Sequence, residues 1–95
     1  MNEENVKTVI SRLGREFDSH KFIEVFYTMY EKEYVELLYS YIDSTNGIFR
    51  AAHAKIGKYL ATNSASLKIQ KVNRDDSENI KKYDSENQYW RKLLW

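Results

Sequence analysis

The sequence predicts an α+β fold, mostly helical, with three to four helices followed by a small C-terminal β-hairpin. Three observations predict it. Apolar residues recur at helical spacing from Val6 to Leu60. At Leu67 the period drops to two, the mark of a strand. Clusters of cap and turn residues (Asp18-Ser19, Asp43-Ser44-Thr45-Asn46-Gly47 and Asn63-Ser64-Ala65-Ser66) divide the periodic runs. Ninety-five residues suit a single domain, residues 1–95. Such a chain buries one core, roughly 60–70% of its unfolded surface.

In chain order, Val6, Val9, Ile10 and Leu13 define a first helix, about Glu3 to Leu13. Asn2 caps it, Glu3 and Glu4 suit the positive end of its dipole, and Gly14 stops it. Arg15, Glu16 and Phe17 are then extended, with Phe17 in the core. Asp18-Ser19 starts a second helix whose stripe is Phe22, Ile23, Phe26 and Tyr30, ending near Met29 or Tyr30. Glu31–Glu33 reads equally as a turn or a continuation. A third helix carries Tyr34, Val35, Leu38, Tyr41 and Ile42. Its tyrosines read as core and core rim, where a ring is buried and a hydroxyl stays wet.

The polar cluster Asp43–Gly47 supplies the cap of a central helix, Ile48–Asn63. At about 100° per residue, Ile48, Phe49, Ala52, Ile56, Tyr59 and Leu60 share one side. The other side holds Arg50, Ala54, Gly57, Lys58 and Ala61. Gly57 costs a helix interior about 1 kcal/mol relative to Ala. Ala54 and Ala61, one turn to each side, make it part of a groove of small residues. Such a groove seats either a nucleic-acid backbone or a neighbouring helix, and the flanking Arg50 and Lys58 favour the first.

Beyond it, Ser66–Val72 reads as a strand, with Lys68, Gln70 and Lys71 facing out. Asn73–Ser77 reads as a turn with Asp75 and Asp76 at its tip. Asp76-Ser77-Glu78-Asn79 and Asp84-Ser85-Glu86-Asn87 form a small repeat, taken as two similar turns or helix starts. Gln88–Trp95 alternates and is read as a return strand pairing with Leu67–Val72. It also fits a capped helix, with Ser85 and Gln88 as the box and Trp90, Leu93 and Leu94 on one face.

The formal net charge is only +1, but its distribution is uneven. Met1–Asp43 holds nine acids and five bases; Ser44–Arg74 holds six bases and no acid. That basic block contains the central helix.

The basic helix, with Lys55-Ile56-Gly57-Lys58-Tyr59-Leu60 at its heart and a strand, polar turn and return strand behind it, resembles the winged-helix and helix-turn-helix DNA-binding domains. The resemblance covers roughly Phe17 to Trp90. The third helix, Tyr34–Ile42, departs from it by standing where a tight turn is expected, and acids at the hairpin tip depart from a phosphate-contacting wing. The resemblance implies a small transcription regulator that binds double-stranded DNA. Arg50, Lys55, Lys58, Lys68, Lys71 and Arg74 would neutralise phosphates. Arg50, His53, Lys58 and Asn63 would face base edges, and Ala54, Gly57 and Ala61 would let the helix seat.

Other chemistries lack their residues. There is no cysteine for a disulfide or thiolate site. The two histidines, His20 and His53, have no metal-ligand spacing; His20 reads as an exposed polar residue and His53 as a packing or hydrogen-bonding one. No phosphate loop or nucleophile elbow is present, and the Asp75, Asp76 and Glu78 spacing is not that of a calcium loop. The expectation is therefore a non-enzyme with no cofactor or metal. No run reaches the ~18 apolar residues of a membrane span, and the acidic start is unlike a signal peptide. A cytoplasmic location with no membrane partner is expected. The competing reading is a helical protein–protein interaction module or adaptor, with a protein partner or homodimer through the tyrosine-rich N-terminal half.

Overall fold

Local capping signals place the first two helices. The Asn2 side chain accepts from the Asn5 N–H at 3.0 Å and opens α1, Glu3–Ser11. The Asp18 side chain accepts from the Lys21 N–H at 2.7 Å and opens α2, Ser19–Met29. Between them Glu16–Asp18 forms a short strand, β1. In this computed structural model, which describes every residue from Met1 to Trp95, three further helices follow: α3, Glu31–Ser40; α4, Ile48–Thr62; and α5, Ser64–Leu67. Strands β2, Ile69–Glu78, and β3, Asp84–Lys92, complete a three-stranded antiparallel sheet in the order β1-β3-β2.

The α+β class and the return strand agree with the sequence reading, and several details differ. The first helix closes at Ser11, two residues before the expected Leu13. Tyr30 alone separates α2 from α3, with φ −126° and ψ 56°, so Glu31–Glu33 is helix rather than turn. Helix α3 ends at Ser40, before the expected Ile42; within it Tyr34 is buried and Leu37 and Leu38 pack on the core, whereas Val35 is exposed and Ile42 is exposed in the turn beyond. No side chain of the Asp43–Gly47 cluster caps α4; Gly47 stands at the cap with φ 96°, a conformation its missing Cβ permits.

The hairpin shows the largest difference. Leu67 ends α5 rather than lying in a strand, and Lys68, left-handed at φ 55°, turns the chain into β2. Asn73–Ser77, expected as a turn, lies within β2, and Asp75 and Asp76 pair with Asn87 and Glu86. Most of β2 is exposed on both faces, so alternation is lost and its polar run imitates a loop. The actual tip is Asn79–Tyr83. There the Asn79 side-chain carbonyl accepts from the Lys81 and Tyr83 N–H groups at 2.9 and 3.2 Å. The repeated Asp-Ser-Glu-Asn segments are the two facing strands, Ser77 opposite Ser85. A bulge between Lys71 and Arg74 adds one residue to β2. The Gln88 side chain donates to the Asn73 carbonyl there at 3.1 Å.

The core gathers Val6, Val9 and Ile10 from α1, Phe22, Ile23 and Phe26 from α2, Ile56 and Leu60 from α4, and Trp90 from β3. Phe17 is in it, as expected, opposite Trp90. The Trp90 indole N–H donates to Ser19 Oγ at 3.1 Å, and Ser19 Oγ donates to the Gln88 carbonyl at 3.1 Å. A second polar knot fixes the hairpin to α2. Asn87 Oδ1 accepts from the His20 N–H at 2.9 Å, and Asn87 Nδ2 donates to the Asp75 carbonyl and to Ser77 Oγ. His20 Nδ1 lies 2.8 Å from Ser77 Oγ, so His20 is half-buried in this knot rather than exposed.

Candidate nucleic-acid interface

Helix α4 has one buried side and one open side. Ala52, Ile56 and Leu60 are fully buried, at i, i+4 and i+8. The opposite side therefore runs through Arg50, Ala54 and Lys58, also one turn apart, and all three are exposed. Lys55 flanks this line and is exposed too. Gly57 lies on its other flank, where an added Cβ would meet nothing within 4 Å. The chain's own side chains do not fill the space beside Gly57. Ala61 differs from its two neighbours in the expected groove: it packs against the core. The open trough is thus Ala54 and Gly57 between Arg50 and Lys58, with a shallow depression at Asn46, Arg50, Ala51 and Ala54.

Arg50, Lys55 and Lys58 enter no ion pair. Helix α4 itself carries no acid. Lys68 and Lys71 are likewise exposed and unpaired. Arg74 is engaged: its Nε lies 2.8 Å from Glu86 Oε1 across the hairpin.

Two of the expected base-facing side chains point elsewhere. His53 is half-buried and turned toward α3, with Nε2 2.6 Å from the Tyr34 hydroxyl and its ring stacked on Tyr34 at 5.9 Å. Burial first, then the nearby His20 and Lys81, push its pKa down to about 4. Burial, with Tyr27 adding to it, pushes Tyr34 up to about 12. Both groups are therefore neutral near pH 7, and the hydroxyl and the ring nitrogen share one hydrogen bond. Asn63 caps the end of α4, where its Nδ2 donates to the Tyr59 carbonyl at 2.9 Å.

The tip of the hairpin lies at the first turn of α4. Lys81 Nζ sits 5.3 Å from the centroid of the Phe49 ring, and Phe49 in turn lies 5.8 Å from His53. A column of Tyr34, His53, Phe49 and Lys81 so connects α3, α4 and the tip. Composition pointed to acids at this tip; the structure puts Lys81 and Lys82 there, with Lys82 3.5 Å from Glu78. Only the true turn, set by the Asn79 side chain, could have exposed those two lysines as tip residues. No helix is long and apolar enough to cross a membrane. No protein-family model, curated protein or solved structure matches the chain.

Proposed function

We propose that this chain is a small double-stranded DNA-binding protein of winged-helix type that lays the open face of α4 against the duplex. One observation carries the reading: the Arg50–Ala54–Lys58 line with Gly57 beside it is open, cationic, free of ion pairs and bare at its centre. A helix with small residues at its centre brings its backbone close to a groove, and the flanking bases meet phosphates. The antiparallel hairpin after α4 and the lysines at its tip support the winged-helix resemblance. Arg50, Lys55 and Lys58 are the primary phosphate contacts, with Lys68 and Lys71 secondary. Arg50 is the base-edge candidate, since guanidinium reads guanine bidentately. His53 and Asn63 support the helix rather than contact DNA, and Arg74 joins only by leaving Glu86.

Fluorescence anisotropy with a labelled mixed-sequence duplex at low salt tests this. Wild-type protein binds, and Arg50→Glu with Lys58→Glu abolishes binding while the circular dichroism spectrum is unchanged. Absence of binding by the wild type, or equal binding by the double variant, refutes the proposal.

A further inference from the structure

Strand β2 is a free edge of the sheet, whose order is β1-β3-β2. It is ten residues long and solvated along almost its whole length. Apart from the ladder to β3, only side chains reach the backbone of Gln70–Glu78. Those of Asn87, Gln88 and Tyr89 come from β3 and that of His20 from α2. The exposed Asp75 carboxylate covers the neighbouring Asp76 N–H at 2.8 Å, and it gives way to an arriving strand. The outer edge has no backbone partner, and its row of N–H and C=O groups is a template for another strand.

Charges on an edge ordinarily prevent such pairing. On β2 they are sorted by sign: Lys71 and Arg74 come first, and Asp75, Asp76 and Glu78 follow. Strand β3 repeats that order beside it. Lys92 and Arg91 stand opposite Ile69 and Gln70, and Glu86 and Asp84 opposite Asp76 and Glu78. Within the chain Arg74 is matched by Glu86, and Glu78 by Lys82. Lys71, Asp75 and Asp76 are exposed and enter no ion pair.

We propose that β2 pairs antiparallel with β2 of a second copy, joining two three-stranded sheets into a single continuous one. A two-fold axis near Asn73 and Arg74 sets Lys71 against Asp76 of the copy, once on each side of the axis. Opposite charges directly across a strand pair attract, and like charges repel. The Arg74 side chains near the axis are already neutralised by Glu86. The bulge between Lys71 and Arg74 falls at the axis, which leaves Ile69–Lys71 to run along Asp76–Glu78 of the copy. Parallel pairing in register sets like charge on like. An extended peptide of a single sign is repelled by half of the strand. Lys71 is engaged by the copy in this dimer, while Lys68 stays available to phosphate. The inference does not depend on DNA binding by α4.

Two variants test it by reversing one half of the strand each. Lys71→Glu makes β2 mostly acidic; Asp75→Lys with Asp76→Lys makes it mostly basic. All three positions are exposed and unpaired, so folding is retained, and thermal melts verify it. Sedimentation equilibrium reads the association over a concentration series up to about 1 mM, the weak end of the affinity range. The wild type forms a dimer. Each variant alone weakens dimerisation by about tenfold or more. An equimolar mixture of the two restores the dimer, because an acidic strand then meets a basic one. Hydrogen exchange on the wild type gives a second readout: the amides of Lys71–Glu78 exchange more slowly in the dimer than in the dilute monomer. A wild type that stays monomeric throughout overturns the proposal, since the edge then serves a different partner or none. So does a dimer that both variants leave intact, a mixture that stays monomeric, or a dimer whose β2 amides exchange as fast as the monomer's.

Discussion

Gly57 and His53 are the two residues on which sequence and structure bear most differently. A glycine in a helix interior signals a reason for its presence, and the sequence left two reasons open. The empty space around it removes intramolecular packing from that choice. Gly57→Ala therefore loses no internal contact and gains helix propensity, about 1 kcal/mol, which raises the thermal midpoint by roughly 4–8 °C for a domain of this size. Gly57→Glu puts a charged side chain into the trough and abolishes duplex binding without unfolding the protein. Scanning calorimetry and anisotropy together check both. His53 was legible as a packing histidine, but its partner was not, because Tyr34 comes from a helix whose inward face could not be fixed by periodicity alone. Its pKa is held down to about 4 from 6.5 by burial. Between those values the unfolded chain binds the proton and the folded one does not, so stability is lost as pH falls from 6.5 through 4. Urea melts show a midpoint that declines over that window, and His53→Gln removes its share of the slope.

Among the elements, the helices were readable because caps and apolar spacing coincide: Asn2 and Asp18 both cap as their positions suggest. The hairpin was not. Its strand β2 is solvated along most of its length, so neither face imposes an alternation, and five polar residues in a row imitate a turn. What holds β2 is tertiary: Asn87, buried in β3, donates to Asp75 and Ser77 and accepts from the backbone of His20. No sequence pattern signals a long-range amide knot of this kind, although the repeated Asp-Ser-Glu-Asn hinted that two similar segments belong together. Asn87→Ala strips three hydrogen bonds from partly buried groups and costs about 2 kcal/mol, with hydrogen exchange increasing first along Asp75–Glu78. Loss confined to β3, with β2 amides unaffected, contradicts this role.

For the molecule as a whole, a net charge of +1 conceals two faces of opposite character. Helix α4 presents unpaired bases around a bare centre, and α3 exposes Val35 and Tyr39 beside Glu31, Lys32 and Glu36; the Tyr34–His53 bond joins the two helices. The charge asymmetry was visible as an acidic first half and a basic block. Which charged side chains face outward was not, since that depends on which side of α3 turns inward. The most direct test of the proposed DNA contact is the dependence of duplex affinity on salt. Each phosphate neutralised contributes about −0.9 to the slope of log K against log salt, so wild-type binding weakens steeply as salt rises. Replacing Arg50 and Lys58 by alanine makes the slope shallower by about two. A flat wild-type dependence, or the same slope in the double variant, contradicts a duplex seated on α4.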